Sequence, residues 1–140
     1  MDFGYFLNQN NLGLQKPFDQ VVSEGRDIAR YCDRTGWHSI WNTEHHFGHE
    51  GFEVCPNPVM MSADLAARTE RIRIGQAANI ITFRHPIQLA EDLAMLDHMS
   101  AGRLEVGVGR GVRPPVQQPV TPVCAGSQSS GNGSHRQRFG

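Results

Sequence analysis

The sequence predicts an α/β protein built on parallel strands, and three observations carry that prediction. Short apolar runs alternate with longer stretches of helical periodicity, in the order βαβαβαβ. The connections are short and punctuated by Pro and Gly, which suits right-handed crossovers between parallel strands. The residues with chemistry in them collect directly after the strands, where parallel α/β proteins gather theirs. Two architectures share this pattern: an open doubly wound sheet and part of an eight-stranded barrel. A complete barrel takes about 250 residues, so 140 residues hold only its first half.

Phe3 to Leu7 is a nearly continuous apolar run, the pattern of a strand covered on both faces. Phe18, Val21, Val22, Gly25, Ile28, Ala29 and Cys32 recur at helical spacing, so residues 17–34 read as an amphipathic helix. Pro17 suits its first turn and Gly36 its end. Ser39-Ile40-Trp41 is a short buried strand. After a Gly-rich loop over 48–57, Asn57-Pro58 caps a helix running to about Arg68, with Val59, Met60, Ala63, Ala66 and Ala67 as its apolar face. Residues 72–81 form a third strand region, and Pro86 opens a helix over 86–98 striped by Leu89, Leu93 and Leu96. Ser100-Ala101-Gly102 stops it, and Arg103–Val108 is the fourth strand.

Composition sets limits on function. The chain is 39% hydrophobic and 19% charged, in the range of a globular domain. No apolar stretch approaches 18 residues, so no membrane span is predicted. Met1 to Asn11 has no basic n-region, which argues against a secretory signal. Cys32, Cys55 and Cys124 are odd in number and widely spaced, which points to free thiols in a reducing, cytoplasmic compartment. Net charge is −1, divided as −4 over 1–111 and +3 over 112–140. An acidic body gives no electrostatic reason to expect nucleic acid.

Four strand ends carry the unusual residues: Asn8; Glu44-His45-His46-Phe47; Gln76-Ala77-Ala78-Asn79; and Gly107-Val108-Gly109-Arg110-Gly111. Parallel strands put all four on one rim. Either histidine suits a general base near neutral pH. Ala77 and Ala78 leave room for a flat ligand against the backbone, and Arg110 between glycines offers a guanidinium to a phosphate. Each cluster also has a plainer reading. Glu-His-His is a serviceable hydrogen-bonded loop, and GVGRG a tight turn that lacks the GxGxxG spacing. Adjacent histidines on extended backbone point in different directions, and their spacing to His49 matches no zinc pattern, so no metal site is predicted.

Taken together and in order, the motifs FGYF, GWHSIWNTEHHF, the NP before the second helix, RIRIGQAANII and HPIQLAEDLAMLDHMSAGRLEVGVGRG resemble the bacterial luciferase-like flavin-dependent monooxygenases. The resemblance covers residues 1–111 and settles the architecture on the N-terminal half of a (β/α)8 TIM barrel. It implies reduced FMN as cofactor, delivered by a flavin reductase, with dioxygen and a small organic substrate. A deazaflavin is the alternative, although EHHF is closer to the luciferase and alkanal branch. It implies His45 as the catalytic histidine, with Glu44 and His46 flanking it in the cofactor pocket. It places a non-proline cis peptide at Ala77-Ala78 under the flavin ring and Arg110 by the flavin phosphate. Gly109 stands where luciferase itself has a reactive cysteine. Members often pair through the helices after strands two and three, so a homo-oligomer or an aggregation-prone chain is expected.

After Gly111 the resemblance stops. Pro, Gly, Ser and Gln make up 16 of the 29 residues of 112–140, with no apolar period. The expectation is a disordered tail, of the kind an out-of-frame reading produces, on a truncated barrel that turns over poorly. Two other functions compete: a non-catalytic half-barrel acting through dimerisation or a partner, and a metal-dependent hydrolase using the histidines.

Overall fold

A computed structural model describes residues 1–46 and 54–111. Four strands, β1 (Gly4–Leu7), β2 (Ser39–Asn42), β3 (Arg73–Ile80) and β4 (Leu104–Gly109), alternate with three helices, α1 (Phe18–Thr35), α2 (Pro58–Ala66) and α3 (Pro86–Met99). All neighbouring strands are parallel and the sheet order is β1-β2-β3-β4. That order decides between the two architectures. A doubly wound sheet reverses direction and places later strands on the far side of the first. Here every crossover steps the same way, so the helices share one face and the sheet is an arc of a barrel.

The local signals explain the elements. Gly36 adopts φ +83°, and its N–H donates to Cys32 O, which stops α1. Pro17 lies one residue earlier than expected, at the N-cap position. Asn57 caps α2, its Oδ1 accepting from Met60 N at 3.0 Å, with Pro58 in the first turn. Asp33 at the end of α1 accepts from the N–H groups of Glu70, Arg71 and Ile72 and so fixes the entrance to β3. Burial pushes the Asp33 carboxyl up, but the three amides outweigh it and hold its pKa below the usual value. Arg103 closes the same end of the barrel, donating to the carbonyls of Ala66, Ile72 and Ser100. The Asp64 carboxylate ties α2 to α1 through Arg26, and those hydrogen bonds bring its pKa down to about 2.

The register shows which side of the sheet is the core. Tyr5, Ile40, Ile74 and Leu104 lie in one row on the helix side. They pack with Ala29, Cys32, Leu65, Leu89 and Leu96. The alternate row, Phe6, Trp41, Gly75 and Glu105, faces the concave side. Gly75 is required there, because a Cβ at that position would lie 2.3 Å from the Trp41 ring.

Two sequence expectations are corrected. β1 is not covered on both faces: Phe3 and Phe6 are exposed, and only Leu7 is fully buried. It is the sheet edge, and no described residue layers over its concave side. A continuous apolar run thus marks residues that face two different environments. On α2, Met60 is 70% exposed while Met61 and Leu65 are buried. The helix is apolar nearly all round, so its periodicity does not single out an inner face. The stripe of α3 is as expected, with Leu89 and Leu96 buried.

Candidate active site at the carboxyl rim

The strand register carries Leu7, Asn42, Gln76 and Val106 to one level. The residues that follow them form the rim. β3 slips against β4 between Gln76 and Asn79, and the intervening Ala77-Ala78 peptide is cis. Gly107 passes so close to this irregularity that a Cβ there would stand 2.2 Å from Gln76 O. Glycine at this position therefore answers a close backbone approach rather than a tight turn.

Beneath the rim lies a polar layer. Ser62 Oγ on α2 accepts from Asn42 Nδ2 at 3.0 Å and from Gln76 Nε2 at 2.8 Å. Asn79 Nδ2 donates to Gln76 Oε1 and to Gly107 O, at 3.3 and 3.2 Å. All four side chains are fully buried. The amide nitrogens of Asn42, Gln76 and Asn79 are each partnered, and these bonds tie the ends of β2, β3 and β4 together behind Ala77-Ala78. Asn42, Gln76 and Asn79 stand out in the sequence as strand-end polar residues. Ser62 does not, because α2 is apolar nearly all round and its pattern does not show which side is buried.

Glu44 is the centre of the rim's charge. Its side chain is 1% exposed. Oε2 accepts from Ile80 N at 2.7 Å, Oε1 faces His46 Nε2 at 2.9 Å, and Arg84 Nη2 lies 3.5 Å from Oε1. Arg84 Nη2 also donates to Asn57 Oδ1 at 3.3 Å, which links the cluster to the cap of α2. The His46 ring meets Phe83 edge-on, with centroids 5.0 Å apart. Neither Arg84 nor Phe83 is apparent as a site residue from the sequence. The signal for Arg84 is indirect: a carboxylate in a buried strand exit needs a cation.

His45 turns the other way, as the extended backbone predicts. Its side chain is exposed, and its N–H donates to Cys55 O at 2.9 Å. Arg110 is exposed at the exit of β4, and its carbonyl accepts from Thr82 Oγ1 at 3.1 Å. The structure thus sets the six predicted site residues on one rim in three ways. His45 and Arg110 are open to solvent, Ala77-Ala78 forms the kinked edge between them, and Glu44 lies underneath holding His46. Phe47, His49 and the tail 112–140 lie outside the described residues.

Cys32 and Cys55 are free buried thiols, and burial pushes Cys55 up to about 11. Among the described residues no three His, Cys, Asp or Glu side chains are arranged to hold a metal ion. No described helix is long and apolar enough to cross a membrane.

Comparison with known proteins agrees with this geometry. The family model for luciferase-like monooxygenases matches residues 1–122, past the point where the motifs quoted above end. The chain is 38% identical over 111 residues to the oxygenase component of the flavin-dependent trigonelline monooxygenase of Acinetobacter baylyi, covering 79% of this chain and 30% of that one. It is 35% identical over 115 residues to the alkanal monooxygenase alpha chain of Photorhabdus luminescens, covering 80% and 30%. Among solved structures, the monooxygenase RslO1 of Streptomyces bottropensis superposes with a TM-score of 0.74 at 40% identity, covering 82% and 35%. The FMN complex of the oxygenating constituent of 3,6-diketocamphane monooxygenase from Pseudomonas putida gives 0.75 at 26% identity, covering 82% and 31%. The chain spans about a third of the length of these relatives.

Proposed function

The chain belongs to the luciferase-like monooxygenase family, and from that premise we propose that its carboxyl rim is the cofactor side of an FMN-dependent oxygenase acting on a small organic substrate. The single observation that carries the proposal is the parallel register that gathers His45, Ala77-Ala78 and Arg110 on one rim. The residues fit such a group. Ala77, Ala78 and Gly109 are small, and a Cβ on Gly109 would already touch the Ala78 methyl at 3.4 Å, so the edge stays low enough for a flat ring. Arg110 offers a guanidinium to a phosphate. His45 is the exposed proton-handling group. Glu44 acts from below, by fixing His46 and the Ile80 amide.

When bound, reduced FMN supplies the two electrons that let dioxygen oxidise the substrate. A partner reductase delivers it; a deazaflavin is the lesser alternative. The chain's own part is to seat the ring, neutralise the phosphate and move a proton at the rim. One ion pair at a surface is worth about 0–1 kcal/mol, so Arg110 alone gives weak affinity. Residues 1–111 make up the domain that carries this rim.

The test is an FMN titration of the 140-residue chain beside a graft. In the graft, residues 1–111 replace the matching segment of a full-length relative. Binding weaker than micromolar by the chain alone, with tight binding and reductase-coupled oxygen uptake by the graft, is the expected result. A folded graft that leaves flavin unbound overturns the proposal.

The helix layer supports a homodimer. A cleft of about 250 Å³ between α2 and α3 is lined by Met60, Met95, Leu96 and Met99. Met60, Met95 and Met99 are all exposed there. Apolar groups clustered in this way favour association. Sedimentation should show a concentration-dependent dimer that Met60→Lys with Met95→Lys disperses; a monomer at all concentrations refutes the pairing.

A further inference from the structure

Arg84 belongs to none of the strand-end clusters, yet it is the cation that the rim's buried carboxylate faces. We propose that Arg84 and Glu44 form a positioning pair that fixes the tautomer of His46: the neutral ring carries its hydrogen on Nε2.

The argument runs through three contacts. Glu44 accepts the Ile80 N–H at 2.7 Å with Oε2 and faces His46 Nε2 at 2.9 Å with Oε1. Paired with the Arg84 guanidinium, the carboxylate is the acceptor in both places. Its side chain is 1% exposed, so the charge needs a close counter-charge to remain. Arg84 Nη2, 3.5 Å away, supplies it, and Asn57 Oδ1 at 3.3 Å keeps the guanidinium in place. An ionised carboxylate has no hydrogen to give, so His46 Nε2 must donate. The neutral ring therefore carries its hydrogen on Nε2. The edge of Phe83, near-perpendicular at 80°, limits rotation of the ring away from this arrangement.

The same carboxylate that sets the tautomer pins the Ile80 amide, two residues beyond Ala78. Arg84 thus acts on the rim's backbone and on its second histidine through one group. The consequence for chemistry rests on the flavin reading: a base beside the ring works only with a fixed tautomer. The proton positions themselves do not depend on it.

The test is carried out on the ¹⁵N-labelled 140-residue chain without flavin, at a pH where imidazoles are neutral. Long-range ¹H–¹⁵N spectra distinguish protonated from bare ring nitrogens, and His46→Gln identifies the signals. The expected result is a His46 Nε2–H form favoured at least about tenfold, the worth of one charge-assisted hydrogen bond. Arg84→Lys keeps the charge and should keep the preference. Arg84→Met should abolish it and speed amide exchange at Ile80 about tenfold or more. A dominant Nδ1–H form in the wild-type chain overturns the proposal without any variant. So does an unchanged preference in folded Arg84→Met. A chain that shows the Nε2–H form and binds no flavin, even when grafted, refutes the functional reading and leaves this one standing.

Discussion

Glu44→Ala should destabilise the chain by about 3–5 kcal/mol, the cost of removing one partner from a buried ion pair. The loss has three sources. The Ile80 N–H is left without its acceptor in a buried position, itself worth about 1–3 kcal/mol. The Arg84 guanidinium keeps its charge but loses the carboxylate it faces. The His46 ring loses the contact that holds it against Phe83. These losses share one site and do not add in full. The measurement is urea denaturation followed by circular dichroism. Lys16→Ala serves as the control: its pair with Glu24 is exposed on both sides, so the midpoint should stay where it is. A Glu44→Ala midpoint equal to that of the control would show that the cluster contributes nothing to folding.

The size of that effect explains why part of the rim is legible from sequence and part is not. The strands and the helices follow from local information, whereas the sheet order that makes them an arc of a barrel does not. Pro58 after Asn57, Gly36 after α1 and the leucine stripe of α3 each specify their element within a few residues. The divergence of His45 and His46 is equally local, since successive side chains on extended backbone take opposite sides. The environment of Glu44 is not local. Its partners are Ile80 and Arg84, 36 and 40 residues away, and only the register of β2 on β3 brings them together. A carboxylate next to two histidines therefore looks like a group aimed at a ligand, whereas it is buried below them. Gly107 shows the same limit from the other side. Its glycine is visible in GVGRG, but the reason is the Gln76 carbonyl on the neighbouring strand. The faces of β1 and α2 fail differently. Where every residue is apolar, the pattern contains no contrast from which an inner side can be read.

His45→Ala should separate chemistry from structure, and it carries the largest expected effect on activity. The backbone N–H bond from His45 to Cys55 O is one that alanine keeps. The ring is exposed and leaves no cavity when removed, so stability should fall far less than in Glu44→Ala. A positioned acid or base contributes about 10²–10⁴-fold to rate. In the graft described above, substrate-coupled oxygen uptake should fall by that factor, while the FMN dissociation constant moves little. The contrast with His46→Ala sharpens the assignment. That variant should lower stability and activity together, because Glu44, which also holds Arg84 and the Ile80 amide, loses one of its partners. Turnover by His45→Ala within a factor of two of the parent would remove His45 from the proton-handling role. It would then leave the rim's chemistry to the histidine that Glu44 holds.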